Sequence, residues 1–229
     1  MRGAWCVVLA GCGGHASQTV PAPTVPLPTA GIAAQQVSVL PLSLIAAEEQ
    51  LLWDSLLGER RIALSRADSV IGTLLRARAP EVTWVLPDEL RRVARRAPGV
   101  APNPDQMGSA ILLHGTKREP ELVPDPLRSE LRTLSALAGG GRYALIPAGL
   151  VFRRPGGQAD GRPAGAAPGS VGAQHAAPLA NELATAELTV VLVDVRTGRV
   201  GFRTVARGDG ADPWTALTRA LKSLTPGVP

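Results

Sequence analysis

Cys12 is the side chain with the most definite chemistry in this chain of 229 residues. It follows Leu9-Ala10-Gly11, where an apolar run gives way to small residues that let a peptidase reach the backbone. The thiol beyond them is a nucleophile that can take an acyl group. Upstream, Arg2 supplies the one positive charge, and the apolar stretch 3–10 is short for a secretory leader. Cys6 lies within that stretch and leaves with it. A chain cleaved before Cys12 keeps a single cysteine, so it can form neither an internal disulfide nor a cysteine metal site.

The other reactive side chains form no constellation. His15, His114 and His175 have no ligand-type residue three or four positions later in the chain, so no metal centre is predicted. There is no G-x-S-x-G elbow, no phosphate-binding P-loop and no G-x-G-x-x-G turn. Gly139-Gly140-Gly141 precedes a strand-like segment, not a helix start, and reads as a helix stop. The carboxylate pairs Glu48-Glu49 and Asp88-Glu89 read as solvated or helix-capping charges. No catalytic residue and no cofactor is expected, and the chain reads as a non-enzyme.

Arginine dominates the charge. The formal net charge is +5, falling to +4 if residues 1–11 and their Arg2 are removed, and only Lys117 and Lys222 are lysines. This composition fits arginine-biased codon usage better than a nucleic-acid footprint. One cluster has functional shape. Arg91, Arg92, Arg95 and Arg96 fall opposite Leu90, Val93 and Ala94 on a helix that begins Pro87-Asp88-Glu89, and they could meet an acidic partner or an anionic surface. Asp194, ahead of Thr197-Gly198, reads as a hairpin stabiliser that accepts bonds from turn amides, with Gly198 supplying a positive φ.

The elements that must hold these residues follow from periodicity. Residues 13–36, with Pro21, Pro23, Pro26 and Pro28, read as an extended tether, and a single α/β domain spans 37–225. Hydrophobic residues at 45% supply a core, and aromatics at 3% make that core aliphatic. A strand at 37–42 is followed by a helix-like stretch over 44–57. A stronger helix over 61–78 carries Ala67, Val70, Ile71 and Leu74 inward, with Ser65, Ser69, Gly72 and Arg76 outward. A strand over 82–86 and the arginine-bearing helix come next, then one short helix within 103–113, a loop over 117–123, and a helix from Asp125-Pro126.

A strand over 143–152 contains Pro147 and Gly149, the mark of a bulge or an edge position. Residues 155–181, almost all Gly, Pro, Ala and polar, predict an unstructured loop. A hairpin over 187–207 and a helix capped by Asp212-Pro213 close the domain. The expected fold is α/β: a mixed sheet of about five strands with helices packed on it, ending in the hairpin and a helix.

Three stretches carry a family resemblance: Val37-Ser38-Val39-Leu40-Pro41, Arg142-Tyr143-Ala144-Leu145-Ile146, and the run from Leu192 through Asp194, Thr197 and Gly198 to Val200. In this order they resemble the bacterial envelope group of the TolB amino-terminal domain, CsgG and LpoB. The Leu9-Ala10-Gly11-Cys12 box likewise resembles the bacterial lipoprotein signal, in which the cysteine is acylated. Together these imply a lipid-anchored binding or scaffolding module of the cell envelope that assists or activates another envelope protein. Gly13-Gly14 after the cysteine, in place of aspartate, point to the outer membrane, facing the periplasm, by the enteric lipoprotein rule. Two alternatives accompany the resemblance: a CsgG-like secretion-pore subunit and a cell-wall enzyme. A pore requires strands of about ten residues alternating apolar and polar, which residues 155–181 lack.

Overall fold

The computed structural model describes residues 23–115, 121–154 and 183–225. They form a mixed α/β domain of three layers built on one six-stranded sheet. Strands β1 (Gln36–Val39), β3 (Thr83–Val85), β4 (Tyr143–Arg153), β5 (Ala184–Asp194) and β6 (Arg199–Gly210) lie in the order β3-β1-β4-β5-β6, and β2 (Ile45–Ala47) pairs with β4. Pairing is parallel from β3 through β1 to β4 and antiparallel from β4 through β5 to β6.

Both faces of the sheet are covered, so the long strands are apolar on both sides. Leu188, Val190 and Leu192 join one core beneath α3 (Arg60–Arg78) and α6 (Pro213–Leu224). Val191 and Val193 join the other, beneath α4 (Pro87–Arg96) and α5 (Leu127–Leu137). Helix starts follow their chemistry. Pro87 opens α4 with Asp88 and Glu89 in its first turn, and Asp212 caps α6 by accepting the amides of Trp214 and Thr215 at 3.0 and 3.1 Å.

Several expectations are corrected. The helix-like stretch 44–57 is instead β2, a 3-10 turn (Glu49–Leu51) and a four-residue helix α2 (Asp54–Leu57). Strand β4 has eleven residues and β1 only four, so the second half of β4 needs a new partner, and residues 45–47 supply it. This is why Pro147 sits in an inner strand and not at an edge. The predicted bulge is present between Pro147 and Gly149, at the gap where the neighbour changes from β1, which ends on Leu40 N donating to Leu145 O, to β2, which starts with Leu150 N donating to Leu44 O.

The inward face of α3 is rotated from the expected one. Ala63, Ala67, Ile71 and Leu75 are buried, Asp68 and Gly72 are inside, and Val70 and Leu74 are half-buried. The single helix expected within 103–113 is two 3-10 turns, Pro104–Gln106 and Ser109–Leu113.

The tether also ends earlier than its prolines suggest. Thr24 and Val25 bond to β6, Leu27 N donates to Leu224 O, and a short helix α1 (Thr29–Ile32) buries Ile32 in the core. From Thr24 onward this segment is part of the domain, where it covers the exposed edge of β6. The rest of the expected tether and the loop at 155–181 lie outside the described residues.

Candidate functional site

The chain leaves β1 toward α3 on one face of the sheet and leaves β3 toward α4 on the other. In open α/β sheets, ligands bind in the crevice beyond the carboxyl ends of strands whose connections diverge in this way. A cavity of about 1150 Å³ lies at this point. Leu42 and Ser43, just past β1, line its base. Arg60, Arg61 and Ser65 of α3 form one wall, Asp88, Arg91 and Arg95 of α4 the other, and Asn103 to Gln106 the third.

At the back of the cavity Arg91 binds three carboxylates. Its Nη2 donates to Asp68 Oδ2 at 2.7 Å and to Asp105 Oδ1 at 2.7 Å, its Nε to Asp105 at 3.0 and 3.1 Å, and its Nη1 to Asp88 Oδ1 at 2.9 Å. Asp68 is only 6% exposed, and its other oxygen accepts Leu42 N at 2.8 Å. Burial pushes the Asp68 carboxyl up to about 6, against the opposing pull of the Leu42 amide and of Arg91. Burial works against the charge of Arg91 as well, but the hydrogen bonds it donates to Asp105 and Asp68 outweigh it and raise its pKa. The cluster ties α3, α4, the end of β1 and the Pro104–Gln106 turn into one unit.

The four arginines expected on one open face therefore divide, and this corrects the sequence reading. Arg91 is half-buried and spent on structure, whereas Arg92, Arg95 and Arg96 are exposed with no partner among the described residues. Helical spacing alone cannot separate them, because the partners that claim Arg91 come from α3 and the loop after α4. Asp68 escaped notice in the sequence. Its signal was an acid set directly beside Ala67 within an apolar stripe.

The hairpin residues take up a turn. Asp194 Oδ1 accepts Arg196 N and Thr197 N at 3.0 and 3.1 Å, Thr197 Oγ1 accepts Arg199 N at 3.2 Å, and Gly198 has φ +75°. Burial acts to raise the Asp194 carboxyl, but the bonds from Arg142 and the turn amides hold it below its ordinary value. Leu9, Ala10, Gly11 and Cys12 lie outside the described residues, as do His15 and His175, and His114 is exposed. Among the described residues no group of three or more His, Cys, Asp or Glu is placed to hold a metal ion, and no helix is long and apolar enough to cross a membrane.

No family model matches the chain, and no curated protein matches it. Among solved structures it is similar to the 1.65 Å structure of the hypothetical protein CT253 from Chlamydia trachomatis, at 9% identity and a TM-score of 0.39 over 84% of this chain and 94% of that one.

Proposed function

We propose that the protein is a lipid-anchored, non-enzymatic binding or scaffolding module of a bacterial cell envelope, with the α3–α4 cleft and the adjoining face of α4 as its working surface. The observation that carries this is Leu9-Ala10-Gly11-Cys12 directly behind an apolar run, a thiol placed for acylation. The cleft supports a binding role over a catalytic one, because each oxygen of its buried acid is engaged, one by Leu42 N and one by Arg91. At its rim stand Arg61 on α3 and Arg95 on α4, both exposed and without side-chain partners among the described residues. One acyl chain holds a membrane only weakly, and the multiple acylation of the lipoprotein resemblance makes such an anchor stable.

Cys12→Ala tests the anchor. The parent should incorporate labelled palmitate and sediment with membranes, and the variant should do neither. A parent that takes up no fatty acid removes the basis of the proposal.

The working surface has its own test. Arg92, Arg95 and Arg96 replaced together by Gln leave Arg91 in place, so stability should stay within about 0.5 kcal/mol of the parent. Binding of the purified domain to stripped envelopes should weaken in the triple variant, and in the parent it should fade with added salt. Equal binding by both proteins would make the face a solvated surface only.

A further inference from the structure

The β5–β6 turn gathers arginines from three separate elements. Arg196 and Arg199 stand in or beside the turn itself, both exposed and without side-chain partners among the described residues. Arg132 of α5 reaches over to it, with Nε donating to Val195 O at 3.2 Å and Nη2 to Arg196 O at 2.8 Å. Arg128, one helical turn earlier, lies against Gly198 and pairs with Asp125. Arg142, just before β4, donates to Asp194 Oδ2 at 2.8 Å.

Among the described residues, only Asp125 and Asp194 pair with this group. Arg132 is held by carbonyl oxygens, which carry no net charge, so its own charge stays uncompensated along with those of Arg196 and Arg199. Arg128, Arg132 and Arg142 are already held in place, so a partner would meet guanidinium groups whose ordering cost is largely met. An apolar contact adjoins them: Leu122 forms a bridge with Arg199 and is 44% exposed.

We propose that this turn is a docking surface for an acidic protein segment carrying an apolar side chain. Guanidinium groups bind carboxylates in paired, planar geometry, and arginine is enriched where proteins meet. Strands of nucleic acid are bound on exposed aromatic rings as well as on charge. Here the neighbouring aromatic, Tyr143, is half-buried, with the Arg142 guanidinium 5.1 Å from its ring centre.

The surface also stands clear of the chain's entry into the domain. Thr24 Oγ1 accepts Arg207 N at 3.1 Å, and Val25 N donates to Thr204 Oγ1 at 3.1 Å, so this segment meets β6 well away from the turn. About 26 Å of extended strand separates Arg199 from Arg207. The surface does not depend on the anchor proposed above, since its charges belong to the folded domain.

The test is titration of the full-length chain with a fluorescein-labelled, glutamate-rich peptide containing leucine. A sulfated polysaccharide and a single-stranded oligonucleotide serve as competitors. The parent should bind the peptide with an affinity that falls as salt rises, and Arg196→Glu with Arg199→Glu should lower that affinity by about tenfold or more. Arg219→Glu with Lys222→Glu makes the same change of net charge on α6, where both are exposed and Arg219 donates to Asp209 O at the other end of β6, and should leave the affinity within about twofold, since screened charges act locally. Thermal melts of both variants should stay close to the parent. The proposal is overturned if the parent does not bind the peptide, if the turn variant binds as the parent does, or if the α6 variant loses as much. Displacement of the peptide by the polysaccharide or oligonucleotide at lower charge concentration than by unlabelled peptide also overturns it.

Discussion

Arg91→Ala should lower unfolding free energy by about 3–5 kcal/mol at pH 7, the cost of removing one partner of a buried ion pair. The substitution strands Asp68, which is 6% exposed and keeps, among the described residues, only Leu42 N to bind it. It also releases Asp105 and Asp88, which with Asp68 are the three carboxylates that Arg91 binds. Arg91→Lys should recover part of the loss, because an ammonium restores charge but cannot span three carboxylates with a planar fork.

The pH dependence follows from Asp68. Its carboxyl titrates near 6 in the folded protein and near 3.8 in the unfolded chain, so the folded state binds the proton more tightly. The stability this group contributes is fully present below about 3.8 and is lost as pH rises through about 6. Removing Arg91 takes away a bond that lowers that carboxyl, so the group rises further in the variant. The deficit of Arg91→Ala relative to the parent should therefore shrink as pH falls from 7 to 5. Urea unfolding at the two pH values measures it. A loss below about 1 kcal/mol at pH 7, or a deficit that widens toward pH 5, would show that the cluster is not what joins α3 to α4.

The elements that could be read in the sequence are those whose signals are local. Proline at the first position of α4, Asp212 capping α6, and the alternation of Leu188, Val190 and Leu192 each act within a few residues, and each lies where its pattern puts it. Strand β2 could not be read this way. Residues 44–57 carry hydrophobic spacing that suits a helix, but the unpaired half of β4 claims three of them for the sheet, so tertiary pairing overrides local pattern. The same holds for Leu27 and Ile32. Their prolines favour extended backbone, yet two well-spaced aliphatic side chains, one of them on the short helix α1, suffice to seat the segment on the core.

The candidate site was legible by half. The arginine run and the acids at the start of α4 were visible, but the meaning of Arg91 depends on Asp68, 23 positions earlier, and on Asp105, 14 positions later. Such partners meet only because β1 and β3 are neighbours whose connections part to opposite faces. No window of sequence contains that geometry. The basic group at the β5–β6 turn is hidden for the same reason, since Arg132 and Arg142 are distant from Arg196 in the chain and meet it through α5 packing and sheet register.

Gly208→Ala should be the most damaging single-methyl change on the opposite face. Gly208 lies in β6 where α6 crosses it, and a Cβ there would collide with Ala220 N and stand 2.6 Å from Arg219 C and 2.7 Å from Ala216 O. All three are backbone atoms of a helix, so no side chain can turn aside, and relief requires α6 to lift from the sheet. That movement would loosen Leu217, Leu221 and Leu224, all buried in the core shared with α3. Overpacking typically costs about 1–3 kcal/mol, and this contact belongs at or above the top of that range because backbone must move. Gly201→Ala, in the same strand but with Leu192 O at 3.8 Å as the nearest atom to its new Cβ, should change stability by less than about 1 kcal/mol. The pair controls for strand propensity, since both replace glycine by alanine in β6. Equal losses in the two variants would mean that helix α6 can lift without cost, against the close approach on which this packing rests.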